Sequence, residues 1–424
     1  MYLKKIKILI LIGLLQYACN PDKEDLMYIS VKQNPDVRLQ QAVEVNIEGL
    51  YSGDFTKEVV LVQKKEGKEV AIPFQIDTLH GKSLWFIPPH TTNSQEKTEY
   101  VLRKATQSPP ATKGALTYTQ EKGNVTVYRE NKPVLSYRFE MNYPPDGVDS
   151  LFQKSGYIHP LWSPSGDTLT RINPPDHYHH YGIWGPWTKT KIEERSVDFW
   201  NLGEGQGTVI FDAFSNLQSG PVYAAISATQ HHVDFGALPE NKIALNEDLE
   251  IKVWDTANDK NQTIIDYTST FSTPLASGIL FEAYRYGGGI GIRATEKWHT
   301  DNSSVLTSEG KDRFTADGTN ARWCIISGAS SAPSKKSGIL FMSHPNNRAH
   351  PEPMRVWPSE FYDGKSNMFF EFSPIRDSEW MIKPNNTYQL KYRMLVFDGD
   401  LSPEEAEAQW QAFATPAVVT ITQP

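Results

Sequence analysis

The sequence predicts an all-β protein that consists of a small N-terminal β-sandwich, a large antiparallel double-sheet domain with a supersandwich-like arrangement, and a short C-terminal helix. Apolar and polar residues alternate with a period of two through most apolar segments, as in strands with one buried face. Clusters of Gly, Asn, Asp and Pro separate these segments at short intervals. Strands do not alternate with helical segments, so a parallel βαβ sheet is not expected.

The N-terminal residues have the pattern of an export signal. A basic start is followed by an apolar stretch over residues 8–15 and then by Ala18-Cys19. This stretch is too short to span a bilayer, which needs about 20 apolar residues. The pattern resembles a bacterial lipobox, so we expect a lipoprotein signal peptide at 1–18, lipidation of Cys19 and an acidic tether at 19–28. The alternative is an ordinary secretory signal. The acidic start after the cysteine resembles the surface-display signal of Bacteroidetes-type lipoproteins. This resemblance implies an outer membrane lipoprotein, at the periplasmic face or the cell surface, with a lipid anchor as its only membrane contact.

Two β-domains are expected after the tether. Residues 29–106 contain the strand candidates of the N-terminal sandwich, and 107–116 have the Pro, Ser and Thr composition of a linker. The domain at 117–418 holds the remaining strands. Ser402 begins a capping box with Pro403 after it, which predicts the single helix. The strand candidates of the N-terminal domain are 42–47, 58–63, 69–74, 83–87 and 99–103.

Charge and cysteine content exclude some function classes. The chain has 42 basic and 50 acidic residues, well mixed, and a formal charge of −8, so it lacks the basic patch of a nucleic-acid-binding protein. With Cys19 lipidated, only Cys324 remains of the two cysteines, and no disulfide can form within the mature chain.

Residues of chemical interest concentrate between 157 and 207. Asp176, His177, His179 and His180 follow a pair of prolines, which favours an extended, loop-like backbone. In an extended segment, His177 and His179 share one face while His180 points to the other. Two imidazoles can therefore reach one target.

Three interpretations of this cluster compete. In the first, His177 and His179 bind a divalent metal with a third ligand from elsewhere in the chain. In the second, the histidines act as general acid and base on a sugar, with a carboxylate setting the tautomer. In the third, the histidines are structural groups in a turn. The residues alone do not separate the first two interpretations.

Aromatic and polar residues around the cluster fit a carbohydrate site. Trp184 and Trp187 could stack on a sugar ring, although core packing is an equally good explanation for Trp184. Arg171 and Asp198 could bind hydroxyl or carboxylate groups. The run Tyr286-Gly-Gly-Gly-Ile-Gly291 lacks the strand-loop-helix context of a phosphate loop and predicts a bend or bulge instead.

A second polar segment follows a predicted strand at 338–341. It contains His344 and Asn347 in a proline-rich loop at the end of the strand, where functional side chains are commonly displayed. We expect His344 to join the catalytic group and Asn347 to contact substrate. The alternative is a polar surface loop.

Spaced motifs between Val134 and Asp398 together resemble the PmoA-like family of bacterial proteins. The motifs are Pro-Leu-Trp-Ser-Pro-Ser-Gly-Asp, Pro-Pro-Asp-His-Tyr-His-His-Tyr-Gly, Val-Asp-Phe-Trp, Gly-Ile-Arg, Ala-Arg-Trp and His-Pro-Asn-Asn. The label of that family, methane oxygenase subunit, is a misnomer here, because a membrane oxygenase needs apolar runs of about 20 residues. The resemblance instead implies a glycan-related context. By position in the motifs, the resemblance also implies a set of site residues, which are Arg171, Asp176, His177, His179, His180, Arg293, His344 and Asn347.

The sequence therefore predicts an exported carbohydrate-active enzyme, a glycoside hydrolase, lyase or epimerase. His177, His179, His344 and Asp176 are the expected catalytic residues, and a glycan is the expected partner. Substrate contacts are expected from Arg171, His180, Trp184, Trp187, Asp198, Arg293 and Asn347. A non-catalytic glycan-binding lipoprotein is the alternative, and a shallow groove of aromatic residues with scattered histidines would favour it.

Overall fold

A computed structural model describes residues 24–33, 39, 41–65, 68–89, 97–105, 114–256, 261–358 and 367–424. The predicted signal peptide, Cys19 and most of the predicted linker lie outside these residues. No helix in the described part of the chain is long and apolar enough to cross a membrane. The fold class predicted from the sequence is confirmed, since nearly all regular structure is antiparallel strand.

The N-terminal part is built from two small sheets. Its elements are β1 Asp25–Lys32, β2 Val43–Asn46, α1 Phe55–Glu58, β3 Val59–Lys65, β4 Lys68–Ile72, β5 Phe74–Asp77, β6 Ser83–Phe86 and β7 Thr98–Lys104. Strands β1, β7, β3 and β4 form one sheet and β2, β6 and β5 the other. Alternate residues such as Ile29, Leu61 and Leu84 are fully buried between them. Residues 25–28, which the sequence analysis gives to the tether, belong to β1 because they pair with β7.

The large domain contains most of the strands. They are β8 Leu116–Glu121, β9 Asn124–Arg129, β10 Lys132–Arg138, β11 Tyr157–Leu161, β12 Ile183–Trp184, β13 Thr190–Ile192, β14 Arg195–Val197, β15 Gly207–Ser219, β16 Tyr223–Asp234, β17 Ile243–Trp254, β18 Gln262–Ser272, β19 Ile279–Phe281, β20 Ile290–Arg293, β21 Ser303–Thr307, β22 Asn320–Ala321, β23 Trp323–Ala329, β24 Lys336–Ser343, β25 Glu352–Val356, β26 Phe369–Phe372, β27 Trp380–Ile382 and β28 Tyr388–Asp398. Short 3-10 helices lie at Ser150–Phe152, Leu202–Glu204 and Pro239–Asn241.

Two large antiparallel sheets enclose the main core. One has nine strands in the order β22-β25-β26-β20-β12-β11-β10-β9-β8, and the other has eight in the order β15-β16-β17-β18-β28-β24-β23-β21. Strand β18 shows how the sequence produces this layer, because every second residue is buried, including Ile265 and Phe271. These residues meet Ile292 and Phe370 from the nine-stranded sheet in one apolar cluster.

The C-terminal segment covers the outer face of the eight-stranded sheet and then returns to the N-terminal part. Helix α2 Pro403–Ala414 begins at the predicted capping box, in which the Ser402 hydroxyl accepts from the Glu405 amide at 3.2 Å. Strand β29 Val418–Thr422 then pairs antiparallel with β1. The N-terminal sheet is therefore completed by the far end of the sequence, although the sequence analysis places residue 418 at the end of the large domain.

The candidate site lies on the outer face of the nine-stranded sheet. All four residues of β20 and all four of β26 are buried, so both faces of the sheet are covered at this point. Phe370 and Phe372 of β26 face the main core, whereas Phe369 faces outward into a second cluster with Trp184, Trp200 and Trp357. Long loops between strands provide this outer cover, and the histidine motif lies in one of them.

Candidate functional site

A cavity of about 220 Å³ opens on this outer face. Aromatic rings provide its walls, and imidazole, amide and guanidinium groups provide its polar lining. No Asp or Glu lines it within the described residues. The lining residues are His177, His179, His180, Trp200, Asn201, Arg285, Tyr286, Arg355, Trp357 and Phe369.

The histidine loop is a pair of consecutive tight turns and not an extended segment. The amide of His177 donates to the Pro174 carbonyl at 2.9 Å, and the amide of His180 donates to the His177 carbonyl at 3.0 Å. Asn173 begins the turns with φ of 43° and donates from its side chain to the Tyr178 carbonyl at 2.6 Å. Asparagine tolerates this left-handed conformation and bonds the nearby backbone.

The turns bring all three histidine rings together. His177 and His180 stack with ring centroids 4.7 Å apart and an interplanar angle of 26°. His179 meets His177 and His180 edge-on, at 5.3 and 4.7 Å. The expectation that His180 points away from His177 and His179 is therefore wrong, because residues three apart converge across a turn whereas they would diverge in a strand.

Asp176 orients His177. One carboxylate oxygen, Oδ2, lies 3.0 Å from His177 Nδ1 and accepts a bond of 2.6 Å from Arg293 Nη2. Burial alone would raise the pKa of Asp176, but the bonds and charges of His177 and Arg293 outweigh it and hold that pKa well below its usual range. The carboxylate is therefore ionised at neutral pH and favours the tautomer of His177 with the proton on Nδ1.

Arg293 supports the Asp176–His177 pair from a buried position. It lies at the end of β20 with no exposed surface, and its guanidinium carbon lies 4.6 Å from the ring centre of Trp357. Asn367 accepts from Arg293 at 3.3 Å and from Arg171 at 3.2 Å. Arg171 does not line the cavity but lines a neighbouring, more open depression of about 490 Å³. Arg293 and Arg171 are thus adjacent, but neither lines the cavity, and Arg293 is in a supporting position.

Burial keeps two of the histidines neutral. It lowers the pKa of His179 to about 3, with further lowering by His177 and Arg293. It also holds the pKa of His180 well below its usual value, again reinforced by His179 and Arg293. Neutral imidazoles can accept a proton or a hydrogen bond, whereas imidazolium groups cannot accept either.

The structure separates the predicted tryptophans. Trp184 is buried behind the cavity, with its ring 5.1 Å from His180 and 4.8 Å from Trp200. Trp187 lies in the main core and stacks on Phe281 at 4.0 Å. The glycine run accounts for its position, because a Cβ on Gly288 would lie 2.1 Å from the Trp187 ring. The prediction that Trp187 contacts substrate is therefore wrong, and Trp184 supports the lining residues.

Asp198 is a structural carboxylate. Its Oδ1 accepts from the amides of Trp200 and Asn201, both at 2.8 Å, and its Oδ2 accepts from the Asn201 side chain at 2.7 Å. These bonds fix a loop that carries two lining residues. The predicted substrate contact by Asp198 is not present, because both oxygens are used within the loop and the side chain is buried.

His344 and Asn347 lie outside the histidine site. His344 packs against Phe413 at 5.1 Å and lines a separate groove, of about 760 Å³, between the N-terminal part and the outer face of the eight-stranded sheet. The Asn347 side chain is buried and bonds Glu352 and the backbone of Lys391, each at 2.8 Å. The prediction that His344 shares a catalytic group with His177 is therefore wrong, and Asn347 stabilises a loop.

The geometry favours acid–base chemistry over metal binding. Within the part of the chain that the structure describes, no three His, Cys, Asp or Glu side chains are grouped so that they could hold a metal ion. The buried guanidinium of Arg293 lies 3.5 Å from His180 Nδ1, where it would repel a divalent cation. A third ligand for His177 and His179 is therefore not provided by the described residues.

Sequence reasoning missed the residues contributed by strands β25 and β26. Trp357 and Phe369 complete the aromatic walls, and Arg355 brings a guanidinium to the cavity. Beside Arg355 lies Glu371, which is fully buried and accepts from the Gly287 amide at 2.7 Å. Burial holds the pKa of Glu371 well above its usual value, although Arg355 lowers it in part. The sequence did contain one signal of this region, because Glu371 is a charged residue inside the apolar run 368–373.

Comparisons with known proteins provide a family but no activity. Residues 124–411, more than half of the chain, match the model of a family of unknown function, DUF6807. No curated protein matches the sequence.

Three solved structures are similar to the chain at low identity. A glycosyl hydrolase family 38 protein from Enterococcus faecalis is 10% identical over 93% of this chain and 47% of its own, with a TM-score of 0.49. A heparan sulfate lyase from Pedobacter heparinus is 10% identical over 70% of this chain and 38% of its own, with a TM-score of 0.32. A galactose mutarotase related enzyme from Lactobacillus acidophilus is 7% identical over 67% of this chain and 97% of its own, with a TM-score of 0.26. The chain spans less than half the length of the first two.

Proposed function

The chain belongs to DUF6807, a family whose function is not assigned, and from the site itself we propose that it is a carbohydrate-active enzyme in which His177 removes a proton from one sugar residue. A lyase or an epimerase would use such a step. The observation that carries the proposal is the Asp176–His177 pair, joined at 3.0 Å, beside a cavity with aromatic walls. The sequence resemblance to the PmoA-like family is a separate proposal that rests on the motifs alone.

The walls and size of the cavity fit a single sugar residue. Trp200, Tyr286, Trp357 and Phe369 line it, and aromatic faces pack well against the apolar face of a sugar ring. Its volume of about 220 Å³ is below the range of roughly 300–1,000 Å³ that drug-sized ligands occupy. The rest of a glycan chain would extend outward, toward the open depression beside Arg171.

His177 has the features of a general base. With its Nδ1 proton held by Asp176, the ring carries its lone pair on Nε2, and the ring lines the cavity. A carboxylate that orients an imidazole also stabilises the imidazolium that forms when the ring takes a proton.

A hydrolase with two catalytic carboxylates is less well supported. Such enzymes need a pair of Asp or Glu groups on either side of the glycosidic bond. Asp176 is held by His177 and Arg293, Asp198 is held within its loop, and Glu282 forms an ion pair with Lys191 at 3.1 Å. These three carboxylates are therefore engaged elsewhere.

The proposed proton removal and the bond changes that follow it use only groups of the protein and the sugar. His177 Nε2 takes a proton from a sugar carbon that lies next to a carbonyl or carboxyl group, and the electron pair moves onto that group. In a lyase the enolate then re-forms its carbon–oxygen double bond and expels the glycosidic oxygen from the neighbouring carbon, which leaves a carbon–carbon double bond between the two carbons. The departing oxygen takes a proton from Tyr286, which lines the cavity. In an epimerase Tyr286 instead gives its proton to the carbon on the face opposite His177, and in both reactions solvent restores the starting protonation of His177 and Tyr286.

Proton exchange in D₂O tests the proposal. The purified protein is incubated with a glycan library that includes neutral and acidic chains, and deuterium incorporation and unsaturated products are measured by NMR and mass spectrometry. We expect turnover by the wild-type protein and a loss of at least about a hundredfold in His177→Gln, which is the lower range for removing a general base. The His177 side chain is 22% exposed and pairs with Asp176.

The matched control is His231→Gln. His231 lies in β16, is 18% exposed and pairs with Asp212 at 3.5 Å, far from any cavity lining described above. Its turnover is expected to equal that of the wild-type protein. Equal rates in both variants would contradict the proposal. Glycan binding with neither exchange nor product would favour the non-catalytic glycan-binding function, and the absence of binding and turnover would contradict both.

We also propose that the protein is exported and anchored to the outer membrane by a lipid on Cys19. The support is the basic and apolar start of the sequence with Ala18 before the cysteine. In cells given radiolabelled palmitate, the wild-type protein is expected to carry label and to fractionate with membranes. The Cys19→Ser variant is expected to lose both properties. Label retained on this variant would refute the assignment of the anchor.

A further inference from the structure

We infer that the sugar residue bound in the cavity is acidic and carries a carboxylate or a sulfate ester recognised by Arg285 and Arg355. The inference deepens the proposed function and rests on it, because it names the class of sugar that the same cavity takes. Both arginines line the cavity, and no Asp or Glu among the described residues does so.

Arg285 is placed at the rim with its charge uncompensated. Its side chain is exposed and lies over the rings of Tyr286 and Tyr284, at 5.7 and 5.9 Å from the ring centres. Its backbone carbonyl accepts a bond of 3.0 Å from Arg376, which fixes the position of the rim. No carboxylate in the described part of the chain forms an ion pair with the Arg285 guanidinium.

Arg355 brings a second guanidinium to the cavity from β25. It is 7% exposed and pairs with Asp317 at 2.6 Å. Asp317 also pairs with Arg376 at 3.3 Å, so one carboxylate is shared between two guanidinium groups. Burial holds the pKa of Glu371, which lies beside Arg355, well above the usual value and favours the neutral form of that carboxyl group.

Among the residues that the structure describes around the cavity, positive charge is therefore in excess, in a protein whose formal charge is −8. Guanidinium groups bind carboxylate and sulfate-like oxygens through paired, charge-assisted hydrogen bonds, and a partly enclosed site strengthens these bonds. For a carboxylate, pairing with arginine also makes the adjacent carbon–hydrogen bond more acidic, since the negative charge of the enolate that forms is stabilised. Recognition of an acidic sugar would thus help the proton removal by His177.

Calorimetric titration with matched sugars tests the inference. The probes are D-galacturonate, D-galactose 6-sulfate and D-galactose, with the corresponding glucose series, at low and at moderate salt. We expect at least one acidic sugar to bind about tenfold or more tightly than its neutral counterpart, with affinity falling as salt rises. Separate titrations with the uronate and with the sulfated sugar show whether the site recognises a carboxylate or a sulfate ester. Equal or tighter binding of the neutral sugars, or no binding of any acidic sugar, would overturn the inference.

A variant at the rim assigns the preference to the cavity. Arg285→Gln keeps hydrogen-bonding groups but removes the charge, and it is expected to lose about tenfold in affinity for the acidic sugar and little for the neutral one. The control is Arg348→Gln, an arginine that lies over Trp380 at 5.0 Å and lines no cavity described above. An unchanged preference in Arg285→Gln would also overturn the inference.

The two proposals can fail separately. Tight binding of acidic sugars without proton exchange would contradict the enzyme and leave the anion preference in place. Proton exchange at a carbon next to the carbonyl of a neutral sugar, at the same rate as in an acidic sugar, would contradict the anion preference and leave the role of His177 in place.

Discussion

Replacing Arg293 by methionine is expected to lower the free energy of unfolding by about 3–5 kcal/mol, the cost of breaking a buried ion pair on one side. Arg293 has no exposed surface, and the variant leaves Asp176 without the bond of 2.6 Å that it now accepts. It also removes the bond to Asn367 at 3.3 Å and the packing of the guanidinium on Trp357. The histidine turns should therefore lose their support together with the global stability.

Urea unfolding at pH 7 measures this effect, and Arg322→Met is its control. Arg322 is 33% exposed and pairs with Glu309 and Glu407 at 3.4 and 3.1 Å, so its loss should cost about 1 kcal/mol or less. Arg293→Lys keeps the charge but not the fork of donors and should lie between the two. A cost within 1 kcal/mol for Arg293→Met would mean that the ion pair does not stabilise the site.

Acid should weaken the same interaction. The pKa of Asp176 is held below its usual range, so the folded state favours the ionised form more than the unfolded state does. The stability that this provides is complete above the ordinary carboxyl pKa of about 4 and is lost as the pH falls through lower values. The hydrogen bond of His177 also lowers this pKa and remains in Arg293→Met, so the variant should show a smaller acid-dependent loss, which the same unfolding series at decreasing pH would reveal.

Replacing Lys154 by methionine is expected to stabilise the protein by about 1–4 kcal/mol near neutral pH. Lys154 is 2% exposed, and burial lowers its pKa to about 7, although Glu247 acts in the opposite direction. Below pH 7 both folded and unfolded states carry the proton, and the full cost of burying the charge is present. As the pH rises from 7 toward the ordinary value of 10.5, the folded state loses its proton first and the cost is relieved.

Stability of the wild-type protein should thus gain up to about 1.4 kcal/mol per pH unit from this group above pH 7, and Lys154→Met should lack that gain. Lys252→Met is the control. Lys252 is also buried, but Glu250 at 3.0 Å and Asp77 at 3.4 Å compensate its charge, so its replacement should destabilise the protein. If Lys154→Met were less stable than the wild-type protein at pH 6, the buried ammonium would have to be favourable.

The fold could be predicted because strand patterning is local. The alternation that predicts strands at 42–47 and 83–87 is found in β2 Val43–Asn46 and β6 Ser83–Phe86, and the capping box begins helix α2 at the expected residue. The pairing of β29 with β1 was not predicted, because no local pattern tells an exposed strand which distant edge it will join.

The site could be predicted only in part. Asp176, His177 and His179 were found because they are adjacent in sequence, and their convergence with Arg293 agrees with the motif list. Their arrangement was not predicted, since two proline residues were taken to extend the backbone where it turns. Trp357 and Phe369 were missed because they reach the cavity through the order of strands in the sheet, which periodicity does not encode.

The pairing of β29 with β1 has a consequence for synthesis. Strand β1 emerges from the ribosome before the large domain, and its partner β29 emerges after it. The N-terminal sheet therefore keeps one open edge until β29 is available, and its closure depends on contacts of very long sequence separation, which form slowly. Any fusion or truncation at residues 418–422 would act on the N-terminal sheet, at the opposite end of the sequence.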